Sequence, residues 1–267
     1  MDKSSVIGII LGFLAVFVGM YLKGASLGAL INPAAFLIII AGTVATIFIG
    51  FPMVEIKRIP KITKILFTNQ KEPDKRELIS QFMTWAGIAR REGLLALENT
   101  ADEIQDPFLR NGMKMIIDGG EPEFVRDVLD EEINAMEERH LSGALIFTQA
   151  GTYAPTLGVL GAVVGLIAAL GNLADVEALG HSIAAAFIAT LLGIFTGYVL
   201  WHPFANKLKR KSQREVEVKR IMIEGLLSIQ AGVSPTAIEQ KLLVYIPVVE
   251  RHAVKEGSNE EGVGFNG

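Results

Sequence analysis

The sequence contains no cysteine among its 267 residues. Disulfides, cysteine-ligated zinc, iron–sulfur clusters and thiol chemistry are therefore excluded. The histidines are scattered without the spacing of metal ligands, so no metal site and no other cofactor is expected; they are His140, His181, His202 and His252. The formal net charge of −4 provides no bulk attraction to nucleic acid, which is not an expected partner.

Charge is also missing from four long apolar stretches. None of them holds an Asp, Glu, Lys or Arg: Val6–Leu22, Pro33–Phe51, Ala150–Leu173 and Ser182–Phe204. Half of the residues are hydrophobic, yet 20% are charged, which is typical of several membrane spans combined with a substantial polar part. The sequence predicts an all-α, polytopic membrane protein with four transmembrane helices. A secretory signal peptide is the alternative for the first stretch, although its apolar run is long for one.

The intervening polar sequence carries helical signals. Asp74 precedes Glu77 by three residues, as in a capping box, and an apolar helical pattern follows until Gly93, which can break or kink that helix. Phe108–Ile117 forms a second predicted helix, and a third begins at Pro122 and can continue into the third span. The predicted organisation is spans one and two in 1–54, a helical cytoplasmic domain in 55–146, spans three and four in 147–206, C-terminal helices in 207–254 and a disordered tail in 255–267.

The basic residues indicate how the spans are oriented. One cluster follows span two and another follows span four, whereas the two other loops hold only Lys23 in one, and Asp175 and Glu177 in the other. Because positive clusters remain in the cytoplasm, the polar domain and both termini are predicted to be cytoplasmic.

The chemistry of the sequence is defined mainly by what is missing. The phosphate-binding loop, zinc-protease, nucleophile-elbow and dinucleotide motifs are all absent, so an enzyme is not expected. Ion pathways normally contain an ionisable residue within a span. The four spans lack one away from their ends, so a charge needed for ion conduction would have to come from another chain.

The spans instead provide small residues and prolines. Small residues repeat at four-residue spacing in spans three and four: Ala154, Gly158 and Ala162, then Gly161 and Gly165, and Ala185, Ala189, Gly193 and Gly197. Such ladders allow close helix packing, either inside one chain or between subunits. Pro155 and Pro203 are predicted at similar depth on the cytoplasmic side, where they can form a hinge or simply end helices.

The sequence also resembles the MotA family, the A subunits of bacterial flagellar motor stators. Nearly the whole chain takes part, and the most specific stretches are Ala89–Glu98, Tyr153–Gly165, Ala189–Gly193 and Pro203–Leu208. The resemblance implies location in the bacterial cytoplasmic membrane, and five A subunits around two MotB-type B subunits, each with an essential Asp in its single span. It also implies that ion flow past this Asp makes the cytoplasmic domain transmit torque to a FliG-type rotor protein.

The resemblance assigns roles to individual residues. Pro155 and Pro203 match the functional proline pair of the family, Thr190 matches a hydroxyl that faces the B-subunit Asp, and Arg90 and Glu98 match a pair that engages rotor charges. An uninterrupted helix would place Arg90 and Glu98, eight residues apart, on roughly one side, but Gly93 lies between them. From the sequence alone, both could equally belong to an ordinary solvated surface.

One position bears on the transported ion. Sodium-driven members of the family carry a Thr where this chain has Ala162. Since sodium needs several oxygen ligands and a proton needs only the carboxylate and water, proton coupling is expected. The alternatives are a sodium-coupled stator, an ExbB/TolQ-type proton-channel scaffold, which usually has three spans, a scaffold without transport, and a membrane-bound enzyme.

Overall fold

The computed structural model describes residues 2–68, 73–171 and 173–248, and all regular elements in these ranges are helical. Four stretches are long and apolar enough to cross a membrane: Lys3–Leu22, Leu27–Gly50, Pro122–Leu170 and Val176–Gln230. The predicted all-α fold with four spans is confirmed. The tail predicted to be disordered, 255–267, lies outside the described residues.

The first span is helix α1, Lys3–Leu22, which starts three residues earlier than predicted because the Asp2 side chain accepts a hydrogen bond from the Ser4 N–H (3.2 Å). The second span begins where predicted, with Asn32 as the N-cap and Pro33 in the first turn. It is built from three consecutive segments: α2 (Pro33–Phe36), a π-helical segment (Leu37–Ala41) and α3 (Gly42–Gly50). Two short helices follow, α4 (Met53–Ile56) and α5 (Ile59–Phe67).

The next helices are polar and short. They are α6 (Lys75–Glu92), a 3₁₀ turn (Leu94–Leu97), α7 (Glu98–Glu103) and α8 (Pro107–Ile117). Asp74 caps α6 by accepting a hydrogen bond from the Arg76 N–H (2.9 Å). Gly93 ends α6 with φ of 88°, a backbone conformation that glycine adopts without strain. The break considered at Gly93 is therefore present.

Two long helical stretches complete the spans. Helix α9 runs without interruption over Pro122–Leu170, which confirms that the third polar helix continues into span three. The helical stretch that contains span four consists of α10 (Val176–Phe195), a π-helical segment (Thr196–Trp201) and α11 (His202–Gln230). The helix continues beyond Phe204, the predicted end of span four, and Pro203 does not end the helix. Pro203 is accommodated because the wider π-helical turn just before it relieves the clash of the proline ring with the carbonyl four residues earlier, so the chain stays helical to Gln230.

The described residues fall into two compact units. The membrane unit is drawn from Met1–Gln70 and Glu138–Ser212, and the polar unit from Lys71–Glu137 and Gln213–Gly267. The sequence-based boundaries at 55, 146 and 207 differ from this division. Physically, the end of α11 and α12 (Pro235–Leu242) share one apolar core with α6, α8 and α9, in which Phe82, Leu129 and Met222 are almost fully buried.

One carboxylate connects three helices of the polar unit. Glu224 of α11 accepts from Arg126 of α9 (2.9 Å) and from Lys241 of α12 (2.6 Å). Burial alone would raise the pKa of Glu224, but hydrogen bonds from Lys241 and Arg126 outweigh it and hold the pKa below its ordinary value. The lower pKa means that ionised Glu224 stabilises the folded unit at neutral pH.

Glu224→Gln is expected to lower the free energy of unfolding at pH 7 by about 1 kcal/mol, because two charge-assisted hydrogen bonds are lost while solvent screens both partners. A lowered pKa gives stability that is present above the ordinary Glu pKa of about 4.3 and lost as the pH falls through the folded value. The difference between variant and parent should therefore disappear in acid. Hydrogen exchange of the α12 amides in the full-length chain measures it.

The matched control is Asp102→Asn, which removes the exposed Asp102–Lys114 pair (2.8 Å) in the same unit. It should leave α12 exchange unchanged at every pH. Equal protection of α12 in the Glu224→Gln variant and the parent at pH 7 would contradict the assignment.

Candidate functional site: the seam between spans three and four

Spans three and four touch backbone to backbone at two glycines. A Cβ placed on Gly158 of α9 would lie 2.8 Å from the Ala189 carbonyl oxygen, and one on Gly193 of α10 would lie 2.8 Å from the Ala154 carbonyl oxygen. No larger residue fits at either position without a shift of the backbone. The contact is reciprocal, and each glycine hydrogen at the Cβ position faces a carbonyl of the other helix, which favours weak Cα–H···O bonding.

The same seam uses most of the predicted small-residue ladder. A Cβ on Gly161 would meet the Ala189 Cβ at 3.2 Å, and one on Gly165 would meet the Ala186 Cβ at 3.2 Å. Ala154 is fully buried, in a cluster with Ala35 and Ile39 of span two. Ala185 lies half-buried, and its carbonyl oxygen accepts a hydrogen bond from the Asn32 side chain (3.5 Å). These residues pack against one another inside one chain, which is one of the two kinds of helix packing that the sequence allowed.

Pro155 lies inside α9 and opens its backbone at the seam. A proline has no N–H, so the Gly151 carbonyl, four residues earlier, loses its helical donor. A Cβ on Gly197 would be 2.7 Å from this carbonyl oxygen and 2.7 Å from the Pro155 Cγ. Span four therefore meets Pro155 and the freed carbonyl directly, at a position where only glycine fits.

Gly197 belongs to the π-helical segment Thr196–Trp201, which the sequence analysis did not foresee. Pro203 follows two residues after its end. The proline ring clashes with the carbonyl four residues earlier, which is Val199 of this segment, and a wider turn relieves such a clash. Short π segments occur frequently at functional sites. Pro155 and Pro203 thus modify the helical hydrogen bonding of both spans, Pro155 at the seam itself.

Thr190 and Ala162 lie at a level between these contacts. They follow Ala189 and Gly161, the two residues that contact each other across the seam, and both are half-buried. The Thr190 hydroxyl donates to the Ala186 carbonyl of its own helix at the long distance of 3.4 Å. The hydroxyl can therefore accept a hydrogen bond from a polar group of another chain, or turn to donate one to it. Ala162 adds no polar atom to this level.

A second row of hydroxyls was missed by the sequence analysis. Thr148, Thr152 and Thr156 follow one another at four-residue spacing along α9, and each donates to a carbonyl one turn earlier (3.2, 3.1 and 3.3 Å). Thr152 and Thr156 are exposed in this chain. The four-residue spacing of the threonines was the available signal, and it places polar atoms along the N-terminal half of an otherwise apolar span.

The predicted charged pair lies in the polar unit. Arg90 is in the last turn of α6 and Glu98 is the first residue of α7, with Gly93 and the 3₁₀ turn between them. Both side chains are exposed. They do not share one continuous helix, so helical spacing alone cannot place them on one side. Buried Leu97 anchors the intervening turn in the core.

The described residues contain no group of three or more His, Asp or Glu side chains that could hold a metal ion. The described parts of the spans thus supply a tightly packed seam, freed carbonyl groups and hydroxyls. They do not supply the carboxylate that an ion pathway requires.

Gly193→Ala tests the backbone contact. Its added methyl group would overlap both the Ala154 carbonyl and the Gly158 backbone, so the free energy of unfolding should fall by about 1–3 kcal/mol. The measurement is heat denaturation of the full-length chain in detergent. Gly180→Ala is the matched control in α10, because nothing lies within 4 Å of a Cβ there and alanine favours the helix. Equal melting of both variants would show that the seam tolerates a methyl group.

Comparison with known proteins agrees over nearly the whole length. Residues 6–93 match the model described as motility protein A N-terminal, and residues 100–221 match that of the MotA/TolQ/ExbB proton channel family. Motility protein A of Bacillus subtilis (strain 168) is 61% identical over 251 residues, which cover 94% of this chain and 93% of the relative. Chemotaxis protein PomA of Vibrio alginolyticus is 33% identical over 92% of this chain and 96% of its own length.

Solved structures give the same result. A chain in the structure of the flagellar MotAB stator complex from Bacillus subtilis has a TM-score of 0.90 and 60% identity, with 95% of this chain and 99% of that chain covered. A chain in the structure of C. jejuni MotAB has a TM-score of 0.88 and 32% identity, with coverage of 93% and 97%. The chain therefore belongs to the motility protein A family, within the MotA/TolQ/ExbB proton channel family.

Proposed function

We propose that the chain is the A subunit of a flagellar motor stator, which couples ion flow through the membrane to torque on the rotor. The observation that carries this proposal is the full-length match to a chain of a MotAB stator complex. The four spans and the seam without ionisable groups support it, because such a chain requires a carboxylate from a partner. The role is that of a channel subunit, not of an enzyme.

The partner is a MotB-type B subunit with an Asp in its single span. Five copies of this chain surround two copies of the B subunit in the proposed assembly. The chain lies in the bacterial cytoplasmic membrane with both termini in the cytoplasm, as supported by the basic clusters that follow spans two and four. No nucleic acid and no cofactor takes part.

In the proposed mechanism the seam provides a neutral wall for the partner's Asp. The Thr190 hydroxyl faces this carboxylate and responds to its charge, since the long hydrogen bond to Ala186 costs little to exchange. Pro155 and Pro203 are points where span backbones can bend, because each removes one helical hydrogen bond. Protonation of the Asp changes the charge beside the seam, and the spans adjust at these points.

Torque reaches the rotor through the polar unit. Two helices, α9 and α11, contribute residues to both units, so the spans continue into the polar unit as unbroken helices. Arg90 and Glu98 are the proposed contacts to a FliG-type rotor protein. Their exposure and opposite charges fit an electrostatic surface that is attached and released repeatedly, since exposed ion pairs are individually weak.

An ExbB/TolQ-type scaffold that energises another process is the alternative in the same family. The fourth span and the match of residues 6–93 to the motility protein model favour the stator.

Thr190→Ala separates a stator from a membrane scaffold. The variant should still assemble with its B subunit, because the packing of Gly161 against Ala189 is unchanged. It should lose most of the motor torque, because the hydroxyl that faces the Asp is removed. The readout is the rotation of tethered cells, with co-purification of the B subunit as the assembly check. Thr46→Ala is the matched control, since this half-buried span-two hydroxyl also donates to a carbonyl of its own helix (2.8 Å). Normal torque in the Thr190 variant would favour the scaffold.

Proton coupling is tested by removing sodium. With only one hydroxyl at the level of Ala162 and Thr190, the pathway has too few oxygen ligands to replace the hydration shell of sodium. Cells with this chain and its B subunit as the only stator should therefore swim at unchanged speed without sodium, at fixed proton-motive force. Collapse of that force should stop them. A motor that stops when sodium alone is removed would identify the sodium-coupled alternative.

A further inference from the structure

A basic patch lies immediately after span two. We define it as Lys57, Arg58, Lys61 and Lys64, and all four side chains are exposed. Lys61 and Lys64 lie three residues apart on α5, which is the spacing of one helix face, and Lys57 and Arg58 form the turn just before this helix. The only acid between Phe51 and Thr68 is Glu55, which is half-buried. The patch is thus a concentrated positive surface.

The opposite face of α5 is apolar and packed. Leu66 is fully buried, and Ile59, Ile62, Ile65 and Phe67 pack against a cluster formed by Ala144, Phe147, Ala205 and Leu208. The contact is close, since a Cβ on Gly143 of α9 would lie 2.8 Å from the Ile62 Cδ1. This packing fixes the rotation of α5 about its axis, so the side chains of Lys61 and Lys64 cannot turn inward.

Hydrogen bonds from other elements hold the C-terminal end of α5 in place. The Lys211 ammonium donates to the carbonyls of Ile65 (2.6 Å) and Thr68 (2.8 Å), and the Asp2 N–H donates to the Phe67 carbonyl (2.9 Å). Lys207 forms an ion pair with Asp2 (2.6 Å) and thereby lowers the pKa of Asp2. These two α11 cations therefore bond to partners inside the membrane unit.

The patch differs from Lys207 and Lys211 in this respect. Within the described part of the chain, none of its four side chains has an ion pair or a hydrogen-bond acceptor. Four exposed cations, two on the amphipathic helix α5 and two in the turn just before it, without protein anions, form a surface for an external anion.

The position of the helix indicates which anion it meets. Span two ends at Gly50, and α4 begins at Met53 with two exposed apolar side chains, Met53 (53%) and Val54 (65%). Exposed apolar side chains followed by cations, directly at the end of a span, are typical of a segment that lies in the lipid headgroup layer. We propose that the patch binds the headgroups of anionic phospholipids in the leaflet at the inner end of span two.

The expected preference follows from the number of cations. Each lysine or arginine near an anionic membrane strengthens binding by roughly fivefold, and salt weakens the effect. Loss of two cations should therefore weaken binding by about tenfold or more. Loss of the charge, not of the side chain, is what matters, so arginine should replace lysine.

The experiment uses the full-length chain in complex with its B subunit, purified in neutral detergent. Phosphatidylglycerol or phosphatidylcholine with identical acyl chains is added, and bound lipid is counted by native mass spectrometry. The parent should bind phosphatidylglycerol at least about tenfold more tightly than phosphatidylcholine. Lys61→Gln combined with Lys64→Gln should abolish most of this preference, and Lys61→Arg combined with Lys64→Arg should retain it.

Arg91→Gln combined with Arg220→Gln is the matched control, because it removes two exposed cations from the polar unit. It should bind both lipids like the parent. Equal affinity of the parent for the two lipids, or an equal loss in the control, would overturn the proposal. Inorganic phosphate is a separate arm: displacement of phosphatidylglycerol by millimolar phosphate at constant ionic strength would show that the patch recognises a free anion, and would equally overturn the assignment to lipid.

Discussion

The membrane unit depends on the backbone contact between spans three and four at Gly158 and Gly193. Lipid tails are as apolar as the side chains of the spans, so burial of apolar surface does not drive these helices together, and close packing must do so. The contact sets the level of the other groups: Pro155 lies against Gly197, and Thr190 lies beside the contact of Gly161 with Ala189. A methyl group at the centre would disturb all of them together.

This packing shows where the small residues of the spans make their contacts. Their regular spacing suggested surfaces that other subunits could share, but the glycines of the ladder face the neighbouring helix of the same chain. Larger apolar side chains are exposed on the outer faces of the spans, such as Val163, Ile167 and Phe187. The small residues therefore determine how the helices of this chain pack, and the larger apolar side chains form its outer surface.

The sequence allowed much of the fold to be predicted. Apolar length and missing charge identified the spans, and cap residues such as Asp74 and Asn32 located helix starts, because these are local properties of the chain. The continuation of the helix beyond Phe204 could not be foreseen locally, since a proline can end a helix or be accommodated within one. The shared core of the polar unit could not be foreseen for a different reason: it joins Phe82 with Met222, and no local pattern reveals contacts between distant segments.

The candidate site shows the same limit. Pro155, Thr190 and the glycine ladder were identified from spacing and from resemblance, whereas the π-helical turn and the freed Gly151 carbonyl require the backbone coordinates. The separation of Arg90 from Glu98 was foreseeable only as a possibility, because a positive φ at Gly93 is permitted by the sequence and not required by it.

The π-helical segment Thr196–Trp201 also affects the register of everything after it. A π turn accommodates one residue more than an α-helical turn, and one residue corresponds to about 100° of rotation around the helix axis. The faces of α11 are thus rotated relative to those of α10, although the two helices follow one another without a break. A side chain's direction in α11 cannot be extrapolated from the seam by counting in steps of 3.6. Deletion of one residue from the π-helical segment would therefore turn the faces of α11 by about 100° relative to those of α10.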